Sequence, residues 1–243
     1  MNKVLFHIPH SSLKIPKKYW NICIKDRKYI DKINIIMSDY LTNKLIPEKS
    51  HKLIFKYSRL FCDVEKFKDD NKEIMFKKGM GVLYTKYLDE EITIINKKYK
   101  QIILKSYYDK YHKKLDKTVT NLLKKDNCII IDLHSFSDKT VEELFNIKNT
   151  PDVCIGTNNT YTNLKLLELT INHFQSYGYK VNTNVPYEGV IIPNKYINKK
   201  ELNLYSIMLE INKRIYLTNQ NDFNKLKNCI NDYYNKIKLL ELD

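Results

Sequence analysis

The sequence predicts an α/β sandwich around a mostly parallel sheet, and three observations predict it. Apolar, β-branched runs of strand length recur along the chain. They alternate with longer stretches whose apolar residues fall three and four apart, and polar residues able to do chemistry stand where the strand runs end. The clearest case is Ile129-Ile130-Ile131-Asp132-Leu133-His134-Ser135, a buried-strand pattern that passes into a DxHS cluster. In open α/β sheets, ligands and catalytic groups gather at the carboxyl ends of central strands, so His134 is a metal-ligand candidate from its place alone.

Taken in order, residues 4–8 read as a short apolar strand running into the turn Pro9-His10-Ser11-Ser12. Residues 26–46 predict a helix, with Ile30, Ile33, Met37, Leu41 and Leu45 as its core-facing stripe. A second strand is predicted over 52–57, then a polar segment over 59–70, and Gly79-Met80-Gly81 turns the chain into a strand-like stretch at 82–85. Residues 88–125 carry helical periodicity and dense charge. A short strand over 152–155, ended by Gly156-Thr157, precedes an amphipathic helix over 164–177 that Gly178 closes. Val181, 190–192 and 206–211 are further strand candidates, and 221–240 predicts a helix. No repeat or compositional boundary divides the chain, which predicts a single domain over 1–243.

Hydrophobic content of 43% and aromatic content of 12% are those of a folded globule, and no apolar run reaches the roughly 18 residues of a membrane span. The first residues, MNKVLFHIPH, lack the apolar length and cleavage site of a secretory signal, so the expected location is cytoplasmic. Five scattered cysteines with no CxxC pair argue against a disulfide framework or a cysteine metal site. Cys62, Cys128 and Cys154 lie in apolar runs and read as small core residues. The net charge of +14 is almost all lysine spread over the whole length, with arginine only at 27, 59 and 214. Without a nucleic-acid motif beside it, that pattern reads as residue usage, and no specific nucleic-acid partner is expected.

Four polar groups occupy similar places, at or just after a predicted strand or on the helix that follows: His10, Asp39, His134 and Glu210. Two imidazoles and one carboxylate make a catalytic zinc site with an open position, and a further carboxylate can take a proton from water. Plainer readings stand beside these. His10 also fits a turn histidine, and Asp39 a solvated aspartate at a helix edge. Glu210 is harder to set aside, because it interrupts Ile207-Met208-Leu209-Glu210-Ile211 and a carboxylate in a buried strand is costly unless paired or used. Arg59 stands in a lysine-rich chain where a guanidinium fork suits a carboxylate or an oxyanion; an ion pair with Asp63 on the surface is the alternative. His7 reads as a satisfied strand histidine, His112 as a surface or packing residue of a helix, and His51 and His173 as surface positions.

Seven segments together resemble the N-formylglutamate amidohydrolase family, in that family's order. They are PHSS at 9–12, SRLFCDVEKF at 58–67, GMGVLYT at 79–85, YYDKYH at 107–112, DLHSFS at 132–137, VPYEG at 185–189 and LEINKRIY at 209–216. The resemblance implies the fold of zinc carboxypeptidases and zinc-dependent cell-wall amidases, a three-layer α/β/α sandwich with a mostly parallel mixed central sheet. It implies zinc held by His10, His134 and a carboxylate, with Asp39 chosen and Asp31 and Asp63 as alternatives. Glu210 then matches the catalytic glutamate, while Arg59, Asp63, His112, Tyr187 and Gly189 fall with the substrate. Asp132, two residues before a ligand on the same strand face, takes a supporting role. Where many family members read DxNR, this chain has Asp63-Val64-Glu65-Lys66, which leaves substrate identity open.

The activity so implied is hydrolysis of the amide of an acidic N-acyl amino acid such as N-formylglutamate, with Glu210 as general base and Arg59 on the oxyanion or the substrate carboxylate. Two other classes compete. One is a zinc peptidase or amidase acting on peptide or cell-wall links, and the other is a basic, non-enzymatic nucleic-acid-binding protein whose site has decayed. Oligomeric state is not legible.

Overall fold

The computed structural model describes residues 1–199 and 203–242; residues 200–202 and 243 of the expected 1–243 domain lie outside the described residues. In chain order the elements are β1 (Lys3–Ile8), α1 (Arg27–Met37), α2 (Thr42–Leu45), β2 (His51–Ile54), β3 (Lys86–Tyr87), β4 (Glu90–Glu91), α3 (Lys97–Ile103), α4 (Asp109–Leu123), β5 (Cys128–Phe136), α5 (Asp138–Phe145), β6 (Val153–Gly156), α6 (Leu164–Ser176), β7 (Val181–Thr183), β8 (Leu204–Asn212) and α7 (Gln220–Leu239). They fall into two compact units: Met1–Ile8, Leu41–Leu53 and Asp116–Asp243, and Pro9–Tyr40 with Ile54–Leu115.

The first unit is built on a six-stranded sheet in the order β2-β1-β5-β8-β6-β7. The pairs β1–β5, β5–β8 and β6–β7 are parallel, and β6–β8 is antiparallel. This is the mixed, mostly parallel α/β sheet that the sequence predicts. Strand alternation sorts its side chains. Phe6, Ile129, Ile131, Leu133, Ile207, Leu209 and Ile211 share one face, where α7 packs on β1 and Phe6 meets Tyr234 at 6.0 Å between ring centroids. Leu226, Cys229, Ile230, Tyr233 and Ile237 of α7 are buried at helical spacing. The opposite face holds Asp132, His134, Phe136, Glu210 and Cys154, and there Val141 of α5 packs with Phe136 and Cys154. Helices on both faces give three layers.

The second unit has little sheet, only the antiparallel β3–β4 pair. Its core is aromatic: Phe61 meets Tyr107 at 4.8 Å and Tyr57 at 5.7 Å, and Phe55 meets Tyr111 at 5.1 Å, all edge to face. Asp26 caps α1 by accepting the Tyr29 N–H at 2.8 Å.

Several local expectations change. The helix expected over 26–46 stops at Met37, because Ser38 is extended and Leu41 takes left-handed backbone (φ 65°) before α2; Asp39 therefore lies in a break, not on a helix. Residues 82–85 form no ladder, and the hairpin follows at β3–β4, which also removes the start of the helix expected from 88. Between α3 and α4 the helix widens into a π turn, Leu104–Tyr108. Residues 190–192 are not a strand: the Ile191 N–H donates to Asp132 Oδ2 at 3.2 Å and its carbonyl accepts from Ser206 Oγ at 2.9 Å. Helix α5 is unanticipated. Cys62, Cys128 and Cys154 are buried as expected, and Gly178 follows α6 in left-handed backbone (φ 84°).

Gly156 ends β6 opposite Met208, with the Gly189 carbonyl lying against it. A Cβ there would press on both the Met208 side chain and that carbonyl, and backbone cannot swing aside. Gly156→Ala is expected to destabilise the protein by about 1–3 kcal/mol, the usual cost of overpacking, read from the urea midpoint.

Candidate functional site

The first unit places its chemistry at the carboxyl ends of its parallel strands. On β5 the alternation that buries Ile131 and Leu133 on one side turns Asp132 and His134 to the other. The β5–β8 register sets Glu210 beside His134 on the same face. Adjacent strands lie about 4.8 Å apart, so the carboxylate and the imidazole are neighbours by construction. Asp132 Oδ1 accepts from two rings, His7 Nδ1 at 2.7 Å and His134 Nε2 at 3.0 Å. Burial pushes the Asp132 carboxyl pKa up; the His134 and His7 rings outweigh it and hold the group far below its ordinary range. An ionised carboxylate only accepts, so the bridging nitrogens carry the protons. His7 is a buried strand histidine, as its alternation predicts, bonded through Nδ1 to Asp132. Glu210 is itself 8% exposed, a buried carboxylate inside an apolar strand as expected.

The second unit is organised by Asp63, which is fully buried. Its Oδ1 accepts from His10 Nε2 at 2.8 Å and the Glu65 N–H at 3.1 Å. Its Oδ2 accepts from Arg59 Nε at 3.1 Å, Arg59 Nη2 at 2.9 Å and the Tyr84 hydroxyl at 2.9 Å. Burial would raise its pKa, and the His10 and Arg59 charges drive it well below the ordinary carboxylate range. The Arg59–Asp63 ion pair therefore forms, but in the interior, where a buried ion must be fully bonded to persist.

His10 and Asp39 are tied through the backbone. The break after α1 lets the Asp39 N–H donate to the His10 carbonyl at 2.9 Å, which brings Asp39 Oδ2 to 3.5 Å from His10 Nδ1. Asn34 of α1 braces this corner by donating to the Leu13 carbonyl at 2.9 Å and accepting from Ser58 Oγ at 2.6 Å. Burial and the Arg59 charge push the His10 pKa down, and Asp63 with Asp39 more than reverses that.

The remaining expected residues are less concentrated. His112 Nε2 donates to the Val64 carbonyl at 2.7 Å and its ring stacks near Tyr108, so it is a buried packing histidine rather than a surface one. Tyr187 is half-buried between Phe136 and Phe145, and Gly189 has left-handed backbone (φ 87°). Asp31 is exposed and sits 3.6 Å from Arg27. His173, expected at the surface, is 3% exposed: it lies on the inner face of α6 and bonds the Cys229 carbonyl at 2.9 Å. Tyr84 had no assigned part. Its signal was an aromatic hydroxyl in an otherwise apolar run, Val82-Leu83-Tyr84, and that pattern alone names no partner.

Comparison with solved structures shows the fold independently. The chain is similar to the crystal structure of an N-formylglutamate amidohydrolase from Ralstonia eutropha, with 18% identity and a TM-score of 0.81 over 96% of this chain and 92% of that one. It is also similar to a gene product of Agrobacterium tumefaciens, with 16% identity and a TM-score of 0.70 over 97% and 92%. No curated protein matches the sequence. The model of one family, described as N-formylglutamate amidohydrolase, matches residues 2–217. With nearly the whole length matched in sequence and the fold shared, the chain belongs to the N-formylglutamate amidohydrolase family.

Proposed function

We propose that the protein is a divalent-metal hydrolase that deformylates N-formylglutamate or a close acidic N-acyl amino acid, with His10, Asp39 and His134 as metal ligands. The observation that carries this is the geometry around His10. A carboxylate holds its Nε2, and its Nδ1 faces a second carboxylate at 3.5 Å. Two ligands about 2.0–2.1 Å from one tetrahedral ion stand a little over 3 Å apart, so the pair fits zinc in donor type and spacing. His134 repeats half of the pattern, with its Nε2 held by Asp132, which is how a ligating imidazole is commonly oriented. Among the three carboxylates open from the sequence, Asp31 is exposed and Asp63 already accepts five donors, which favours Asp39.

A metal held there would supply Lewis-acid polarisation of the carbonyl and of water. The chain's own groups do the rest. Glu210 accepts a proton from the attacking water and passes it to the nitrogen as the C–N bond breaks, releasing formate and glutamate. Arg59 uses three of its five N–H donors on Asp63 and the Met37 carbonyl and offers the others to the oxyanion or the substrate carboxylate. His112, Tyr187 and Gly189 shape the substrate's surroundings. Asp63, first placed with the substrate, acts instead through His10. The lysine surplus favours an acidic substrate over a neutral one.

Glu210→Gln is expected to bind zinc like the wild type while losing about 10²–10⁴-fold in turnover of N-formylglutamate, the usual scale for a lost general base. Unchanged kcat would remove that role. His134→Ala and Asp39→Ala are each expected to lose zinc on dialysis, whereas Asp31→Ala keeps it; metal content by elemental analysis decides among them.

A further inference from the structure

We propose that Tyr84 is a positioning residue for His10, acting through Asp63. The proposal rests on the metal reading above and deepens it. Tyr84 is 1% exposed, and its hydroxyl donates to Asp63 Oδ2 at 2.9 Å. The opposite oxygen of that carboxylate receives His10 Nε2 at 2.8 Å. The three groups therefore form one line from phenol to carboxylate to imidazole.

Arg59 grips the same Oδ2 from four residues away on the same turn, and its own tie to another segment, Nη1 to the Met37 carbonyl, is long at 3.4 Å. Tyr84 comes from a separate segment that is itself anchored. Its carbonyl accepts from Thr93 Oγ1 at 2.7 Å, and the Val82 carbonyl two residues earlier accepts the Asp63 N–H at 2.7 Å. That segment follows Gly79, in left-handed backbone (φ 76°), whose carbonyl accepts the Thr85 N–H at 2.8 Å.

The consequence for His10 is chemical. A carboxylate that only accepts fixes the imidazole proton on Nε2 and leaves Nδ1, the nitrogen facing Asp39, as the donor to a metal. If the carboxylate could rotate, the alternative tautomer would put a proton on Nδ1 and block ligation. Tyr84 is thus asked to hold a tautomer, which packing alone cannot do. A second buried tyrosine supplies the contrast: Tyr19 is equally buried at 1%, and its hydroxyl has no hydrogen-bond partner among the described residues.

The test compares Tyr84→Phe with Tyr19→Phe in the full-length protein. Ring-nitrogen correlation spectra of metal-free protein, at a pH above the His10 titration, are expected to show the Nε2–H tautomer of His10 in the wild type and in Tyr19→Phe. A mixture of tautomers is expected in Tyr84→Phe. Competition titration with a chromophoric chelator is expected to show about tenfold weaker zinc binding in Tyr84→Phe, the lower end of the usual loss when a ligand's partner is disturbed. Tyr19→Phe is expected to match the wild type.

Asp63→Asn, assayed in the same way, is expected to lose at least as much and serves if Tyr84→Phe folds poorly. A wild type that binds zinc, with Tyr84→Phe unchanged in both affinity and tautomer, overturns the role while leaving the metal reading intact. A wild type that takes up no zinc overturns the metal reading, and this role with it.

Discussion

A buried aspartate gripping a histidine at Nε2 is the interaction on which both units depend. In one, Asp132 bridges His7 and His134; in the other, Asp63 carries His10. An ionised carboxylate in the interior costs several kcal/mol unless all its lone pairs are used, so each aspartate dictates its surroundings. Around Asp63 that demand explains why an arginine, a tyrosine and a backbone amide converge on one turn. Around Asp132 it explains why the segment after Gly189 leaves the sheet: the Ile191 amide is needed on the carboxylate and not in a ladder.

The two halves meet this demand with different materials. The sheet unit relies on alternation, placing apolar residues on one face and polar ones on the other, so one strand serves both core and chemistry. The other unit has almost no sheet and fixes its polar groups by interruptions: a helix that ends at Met37, a left-handed residue at Leu41, a turn at 58–63. Its rigidity comes from edge-to-face aromatic packing around Phe61 and from Asn34, whose amide joins three segments.

This division also explains what the sequence could and could not disclose. The strands holding His134 and Glu210 were legible because a short apolar, β-branched run is a local signal, whereas the pairing that sets Glu210 beside His134 is written in neither run. The oddity of Glu210 in an apolar run was readable for the same reason. Asp39 was harder to place, since the heptad-like stripe of Ile30, Ile33, Met37 and Leu41 continues through residues where the helix has ended. The break depends on backbone angles at Ser38 and Leu41 that neither side chain announces. The part played by Tyr84 was out of reach, because its partner lies 21 residues away and the bond arises only in the folded unit. His173 was misjudged for a related reason: on a helix, a polar ring next to Asn172 and near Gln175 looks solvated until the partner helix is known.

The pairing of β5 with β8 behaves like a reading frame. Every side chain on the working face of the two strands sits an even number of residues from its neighbours: Asp132, His134 and Phe136 on one, Met208, Glu210 and Asn212 on the other. Losing or gaining one residue within β8 would turn Glu210 toward the helices of the apolar face and bring Leu209 or Ile211 to His134. A change of two residues would preserve the facing pattern and shift only position along the strand. Facing on this sheet therefore survives changes of strand length in steps of two, whereas a single step must be absorbed by a bulge or it exchanges the two faces.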